Sequence, residues 1–211
     1  MAQLENAAQP PLVKLLLLGG AGVGKTSLRL RFAKGVFPPG EANDAATTAG
    51  AAAFSVAHVD VDGAGVSVQL WDGGAADSNK GLSFDGVVAV FDVTNGATLA
   101  SAAAQSTLAR GGCMPRILVG TKCDRGDRKV TPAEGESMAQ RHGMQYFEVS
   151  SSTGAGVKEA FDAIIRRVIR VLRVASLAAE LDLLGQLDTV TMIHQTSGFL
   201  ARAAEARCCL V

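Results

Sequence analysis

The chain has 211 residues, 48% of them hydrophobic, which suits one domain with a sizeable core and some extra length. Twenty basic residues balance twenty acidic ones, so the cationic excess that neutralises nucleic-acid phosphates is missing, and nucleic acid is not expected as a partner. The four cysteines, Cys113, Cys123, Cys208 and Cys209, make neither a metal-type pair nor a disulfide framework, which points to a reducing compartment.

Residues 1–11 form a short polar lead ending in Pro10-Pro11. It has neither the charged start nor the apolar stretch of a signal peptide, and Ala2 stands where N-myristoylation needs glycine. No apolar run approaches the ~20 residues that span a bilayer. LVKLLLLGG then reads as a buried strand stopped by glycines. It runs into Gly19-Gly20-Ala21-Gly22-Val23-Gly24-Lys25-Thr26, which is GxxxxGK followed by Ser or Thr in full. A helix is predicted from Lys25 to about Ala33, so the motif lies between a strand and a helix, the context it requires. Only a glycine-rich backbone curls tightly enough to turn many N–H groups on a phosphate chain. The helix N-terminus favours the anion, and Ser27 continues that first turn. Lys25 adds a cation for the outer phosphates, and the Thr26 hydroxyl suits Mg²⁺.

FSVAHVDVDGAGVSVQLW predicts a hairpin around Asp62-Gly63. It ends in Trp71-Asp72, followed by Gly73-Gly74-Ala75-Ala76. GVVAVFDVT is a buried strand over 87–93, and an Ala-rich helix is expected over about 97–110. RILVGTKCD gives a strand over 117–119 running into a loop, and a helix is expected over 132–142 before a strand over 145–149. In that loop, Asp124 can accept from both N1–H and the exocyclic amine of guanine. Adenine offers an acceptor and no amine at that edge, so the carboxylate discriminates against it. The stem of Lys122 can lie on the purine face. Ser150, Ser151 and Ser152 follow the last strand and suit a second contact with the base.

The final helix, from about Gly156, has the best periodicity in the chain. Val157, Ala160, Phe161, Ile164, Ile165, Val168 and Val171 recur at spacings of three and four, with Arg166, Arg167 and Arg170 on the other, solvated face. Alternating strands and helices predict an α/β fold: a mostly parallel sheet of about six strands, one antiparallel edge strand, and helices on both faces. Past about Arg173 the pattern weakens into a tail, 174–211, with helical potential around 177–187. Cys113 and Cys123 are expected as buried thiols, and His58, His142 and His194 lie in no catalytic pattern.

The stretches GGAGVGKTSLRLRFA, VQLWD, GVVAVFDVTN, ILVGTKCD and FEVSSSTGAGVKEAF resemble the Ras superfamily of small GTPases, most closely its Rab branch, over about residues 12–172. The resemblance implies a GTP-binding domain over 12–173, between the N-terminal extension 1–11 and a hypervariable tail. It implies GTP or GDP with Mg²⁺, the metal reached by Thr26, by Asp72 through water, and by Thr48 of the Thr48-Ala49-Gly50 match to the family's Thr-Ile-Gly. Thr47 is the runner-up, and Asp44 a further candidate oxygen.

The chain also departs from the pattern. Thr121 stands where most Rabs have Asn, and Ser152 where the family has Lys, which implies weaker guanine binding. The family's WDTAGQE is here Trp71-Asp72-Gly73-Gly74-Ala75-Ala76-Asp77. Ala75 replaces the glycine whose N–H reports the γ-phosphate, and Ala76 replaces the glutamine that orients the attacking water. Slow GTP hydrolysis follows, with Lys25 stabilising the developing charge. Ala21 stands where an added side chain hinders hydrolysis in Ras-like members.

The paired Cys208-Cys209 before Leu210-Val211 resemble the prenylated ends of Rabs, and two lipids anchor where one does not. By resemblance the protein is a monomeric switch in vesicle traffic on the cytoplasmic face of internal membranes, with a cytosolic pool. Its implied partners are an exchange factor, a GTPase activator, effectors and prenylation or escort proteins. A second reading stays open at this point: a degenerate GTPase that binds nucleotide constitutively, or not at all, and acts as a membrane-tethered scaffold. An ATP-using enzyme is disfavoured by Asp124.

Overall fold

The computed structural model describes residues 10–37, 54–73, 83–108 and 114–183. Six strands form one sheet: β1 (Leu12–Leu18), β2 (Phe54–Val61), β3 (Ala64–Asp72), β4 (Gly86–Asp92), β5 (Arg116–Thr121) and β6 (Gln145–Glu148). Four helices accompany them: α1 (Lys25–Lys34), α2 (Ala97–Leu108), α3 (Pro132–Arg141) and α4 (Val157–Leu183). The strand order is β2-β3-β1-β4-β5-β6, and only β2 runs antiparallel, against β3 at the edge.

The alternation along each strand sorts side chains to two faces. Val88, Val90, Ile117 and Val119 join the cluster under α1 and α4, which contribute Leu28, Phe161, Ile164, Ile165 and Val168. Ala89, Phe91 and Leu118 point the other way, to Leu99, Ala102 and Ala103 of α2 and Ala139 of α3. Every residue of β4 is buried, as expected for a central strand covered by helices on both sides. Phe32 of α1 stacks on Phe161 of α4 at 4.0 Å between ring centroids and locks those two helices together. Thr131 and Glu134 cap α3 reciprocally, with Pro132 at its first position.

The chain leaves β1 toward β3 on one side and β4 on the other. The loop after β1 therefore opens at the reversal point of the sheet, where open α/β folds place their ligands. Two elements run further than the sequence pattern suggests. β5 continues to Thr121, so this residue ends a strand and Lys122 begins the loop. α4 continues to Leu183, so the boundary at Arg173 falls inside one helix. Its apolar stripe leaves the core after Ile169, and Val174 and Leu177 are exposed. No described helix is long and apolar enough to cross a membrane.

Candidate nucleotide site

The loop between β1 and α1 carries Gly19, Gly20, Ala21, Gly22 and Val23 to the first turn of α1. Gly24 caps that helix with φ of 95°, a conformation that costs glycine little and an L side chain much. No side chain caps this helix end, so its first N–H groups face the loop. Lys25 Nζ donates to the carbonyls of Gly19, at 3.1 Å, and Gly20, at 2.8 Å, placing its ammonium inside the curl of the loop. Val23 is buried and pins the loop to the core beneath it, and Ser27 and Leu28 are buried behind the helix start. Ala21 is exposed at the rim.

Thr26 Oγ1 donates to Asp72 Oδ2 at 3.1 Å. These residues are 46 positions apart, and the parallel pairing of β1 with β3 brings them together by setting Leu17 opposite Asp72. A hydroxyl and a carboxylate so placed are hard oxygen donors of the kind Mg²⁺ takes. Among the described residues no group of three or more His, Cys, Asp or Glu could hold a metal. A Mg²⁺ held by these two oxygens would have places left for phosphate oxygens and water, which this cation commonly keeps.

The other end of the site is built on the loops after β5 and β6. Ser152 Oγ donates to Asp124 Oδ2 at 3.0 Å, and Ser150 Oγ lies 3.1 Å from Ser152 Oγ. Hydrogen bonding from Ser150, helped by Ser152, holds the Asp124 carboxyl below its ordinary value against partial burial. Asp124 is thus an ionised, exposed acceptor at neutral pH, the state that accepts two donors from a purine edge. Ser150 is fully buried and Ser151 nearly so, which leaves Ser152 the exposed member of the trio.

Three bridges join the two ends. Thr121 is 1% exposed, and its hydroxyl stands 2.6 Å from the Val23 carbonyl and 2.9 Å from that of Phe91. Thr121 thus acts through the glycine-rich loop and is not presented to a ligand directly. Lys122 adopts a left-handed conformation, φ 62°, and its Nζ donates to Gly22 O at 3.0 Å. Arg31 of α1 donates from Nε to Ser151 O, from Nη2 to Ser152 O, and from Nη1 to Gly35 O at 2.8 Å. A further pair steadies the base loop from behind, with Arg128 bidentate to Glu148 at 2.7 Å for both bonds.

Arg31 and the carboxylate of Asp92, at the end of β4, were not legible as site residues in the sequence. Each sits far along the chain from its partners and matches no local motif. Cys123 is half-buried, not fully buried as expected, and burial together with Glu148 and Asp124 pushes its thiol up, away from reactivity. His58 pairs with Ser67 on the exposed hairpin, outside the site. Arg166 is exposed as expected, and it reaches Asp62 of the hairpin turn. Thr47, Thr48, Asp44, Gly74, Ala75, Ala76, Cys113, His194, Cys208 and Cys209 lie outside the described residues.

The Arg31 bridge leads to an expected result. Arg31→Leu frees two carbonyls of the base loop, so amide exchange at 151–154 should accelerate while the α4 core stays protected. Release of a bound nucleotide should quicken by roughly tenfold, the worth of a charge-assisted bond or two. Hydrogen-exchange mass spectrometry with a parallel dissociation assay checks both.

The Ras family model matches residues 14–170. The chain is 31% identical over 170 residues to the Ras-related protein Rab-13 of Bos taurus, covering 75% of this chain and 80% of that protein. It is 32% identical over 168 residues to Rab-18 of Lymnaea stagnalis, covering 75% and 81%. The GTP-binding protein yptV2 of Volvox carteri is 30% identical over 209 residues, covering 94% of each.

Proposed function

Because the chain belongs to the Ras family, as a Rab-like small GTPase, we propose that it is a guanine-nucleotide switch of intracellular vesicle traffic that hydrolyses GTP slowly. The observation that carries this reading is the convergence of a phosphate loop and a purine-reading carboxylate at one end of the sheet, tied together by Thr121, Lys122 and Arg31. In it, Gly19 to Ser27 cradle the phosphates. Lys25 stabilises charge on the outer ones. Thr26, Thr48 and Asp72 attend Mg²⁺, which when bound neutralises phosphate charge. Asp124 reads the base, Ser150 and Ser152 hold its carboxylate, Lys122 supports the purine face, and Ser151 presents backbone to it.

Slow turnover follows from chemistry at the loop after Asp72. Ala76 has no polar atom to orient water, and Ala75 carries a Cβ where close backbone approach favours glycine. Attachment to the cytoplasmic face of an internal membrane goes through prenyl groups on Cys208 and Cys209, with a cytosolic pool carried by escort proteins. The monomer meets its exchange factor, activator and effectors through the segments around Thr48 and Ala75.

The test is single-turnover hydrolysis of GTP by the purified protein with Mg²⁺. Wild type should hydrolyse slowly, and Ala76→Gln should raise the rate on the order of a hundred-fold by restoring a water-positioning amide. A wild-type rate matching that variant's removes the slow-turnover claim.

A further inference from the structure

The role of Lys122 raises a question that the base-reading loop does not itself answer. A lysine side chain is long and flexible, and an L residue in the left-handed region is held there only by its surroundings. Arg125 N–H donates to the Lys122 carbonyl at 3.1 Å, Gly22 O accepts from the Lys122 ammonium, and Asp92 pairs with that ammonium. The carboxylate ends β4 opposite Thr121 of β5 and is 6% exposed. Its two oxygens are divided between two tasks. Oδ1 accepts from the backbone N–H of Thr94 at 2.8 Å and from the Thr94 hydroxyl at 2.7 Å, and Oδ2 faces Lys122 Nζ at 2.6 Å. The Asp92 backbone N–H donates to Thr98 Oγ1 at 3.0 Å, so the strand end that carries the carboxylate is itself fixed. Burial pushes the carboxyl up, but the bonds from Lys122 and Thr94 outweigh it and keep it ionised.

We propose that Asp92 is a positioning residue for nucleotide binding. It sets the Lys122 ammonium on the Gly22 carbonyl, so that the lysine stem stands preformed beside the purine and the base loop is latched to the phosphate loop. The proposal rests on the guanine-nucleotide reading above and deepens it. Ser152, the family's second lysine position, has no stem to offer the base, so this chain leans on a single lysine and on what orients it. A buried carboxylate with a merely structural role would support the β4 end equally whether or not Lys122 were present.

A double-mutant cycle separates the two roles. Dissociation of a fluorescent GDP analogue is measured for wild type, Asp92→Asn, Lys122→Ala and the double variant, with thermal unfolding of each in the nucleotide-free state. Asp92→Asn keeps the shape and one acceptor, enough for the Thr94 bonds, but puts an amide donor where Oδ2 faced Lys122 and removes the charge. It should speed GDP release by about tenfold, the worth of one charge-assisted bond, and should add less than about twofold once Lys122 is alanine. The rise should come with little change in nucleotide-free unfolding temperature. Thr94→Val, which frees one bond to Oδ1, should give a smaller rise of the same kind, and it replaces Asp92→Asn in the cycle if that variant does not fold. Equal effects with and without Lys122, or no change in release, overturn the proposal. The same assay with an ADP analogue tells the two claims apart. If wild type held ADP as firmly as GDP, the guanine reading would fail, while the cycle would still decide whether Asp92 acts through Lys122.

Discussion

In Asp124→Ala, GDP affinity should fall roughly 10²- to 10⁴-fold, while ADP affinity changes little. The size follows from the bonds removed. On the proposed reading two donors on guanine meet one ionised carboxylate, and a hydrogen bond to a charged group is worth about 1.5–3 kcal/mol. The sign for ADP follows from adenine, which offers that carboxylate an acceptor and no amine. Asp124 is exposed and its two nearest neighbours are small hydroxyls, so its removal should leave the fold intact. Isothermal titration with GDP and ADP, beside a thermal unfolding curve of each variant, checks the claim. Parallel losses for both nucleotides would mean that Asp124 supports the loop without reading the base.

Gly19→Ala should damage both stability and nucleotide retention. A Cβ at this position would stand 2.2 Å from the Val90 carbonyl oxygen and 3.2 Å from Val23 Cγ2. The obstacle is the backbone of the fully buried β4, which cannot swing aside as a side chain could. Either β4 shifts or the phosphate loop lifts off it. Overpacking of this kind costs about 3 kcal/mol, and for a chain of this size each kcal/mol lowers the unfolding midpoint by roughly 2–4 °C. On the proposed reading the loop holds the phosphates, so the displaced backbone should also release GDP faster. Gly20→Ala is the control. A Cβ there meets nothing nearer than Val23 Cγ1 at 3.8 Å, so its stability should stay near wild type.

Much of the fold was legible because its signals are local. The apolar run LVKLLLL stopped by glycines, the Asp62-Gly63 turn and the three-and-four spacing from Val157 to Val168 each specify an element without help from elsewhere. The phosphate loop belongs with them, since its strand, glycines and helix start are contiguous. The family resemblance then supplied the order in which these pieces are used. The end of α4 was harder to read. Past Ile169 the apolar residues Val171, Leu172, Val174 and Leu177 are exposed, yet Ala175, Ala178 and Ala179 keep helix propensity high, and the helix runs on to Leu183.

The connections across the site were not legible. Asp92 reads as one acid after a buried strand, and only the register of β4 against β5 shows that it faces Lys122, thirty residues on. Arg31 reads as one more basic residue on an Arg-rich helix. Its carbonyl partners in the base loop lie 120 and 121 residues away, and a backbone acceptor leaves no mark on the sequence. Thr121, grouped by pattern with the base loop, is the last residue of a strand, and its hydroxyl lies against Val23 and Phe91. Sequence patterns find side chains that meet a ligand through a motif. They do not find the side chains that hold such groups in place through the backbone of a distant loop.

Competition for bound GDP tests the account most directly. Protein loaded with fluorescent GDP in Mg²⁺ is challenged with rising GTP or rising ATP, and release is followed to equilibrium. GTP should displace the probe at concentrations near those of GDP itself, while ATP should need an excess of at least about a hundred-fold, the discrimination expected of a site that pairs with the guanine edge. Displacement by ATP as readily as by GTP would contradict the claim that a phosphate loop and a purine-reading carboxylate form one guanine site.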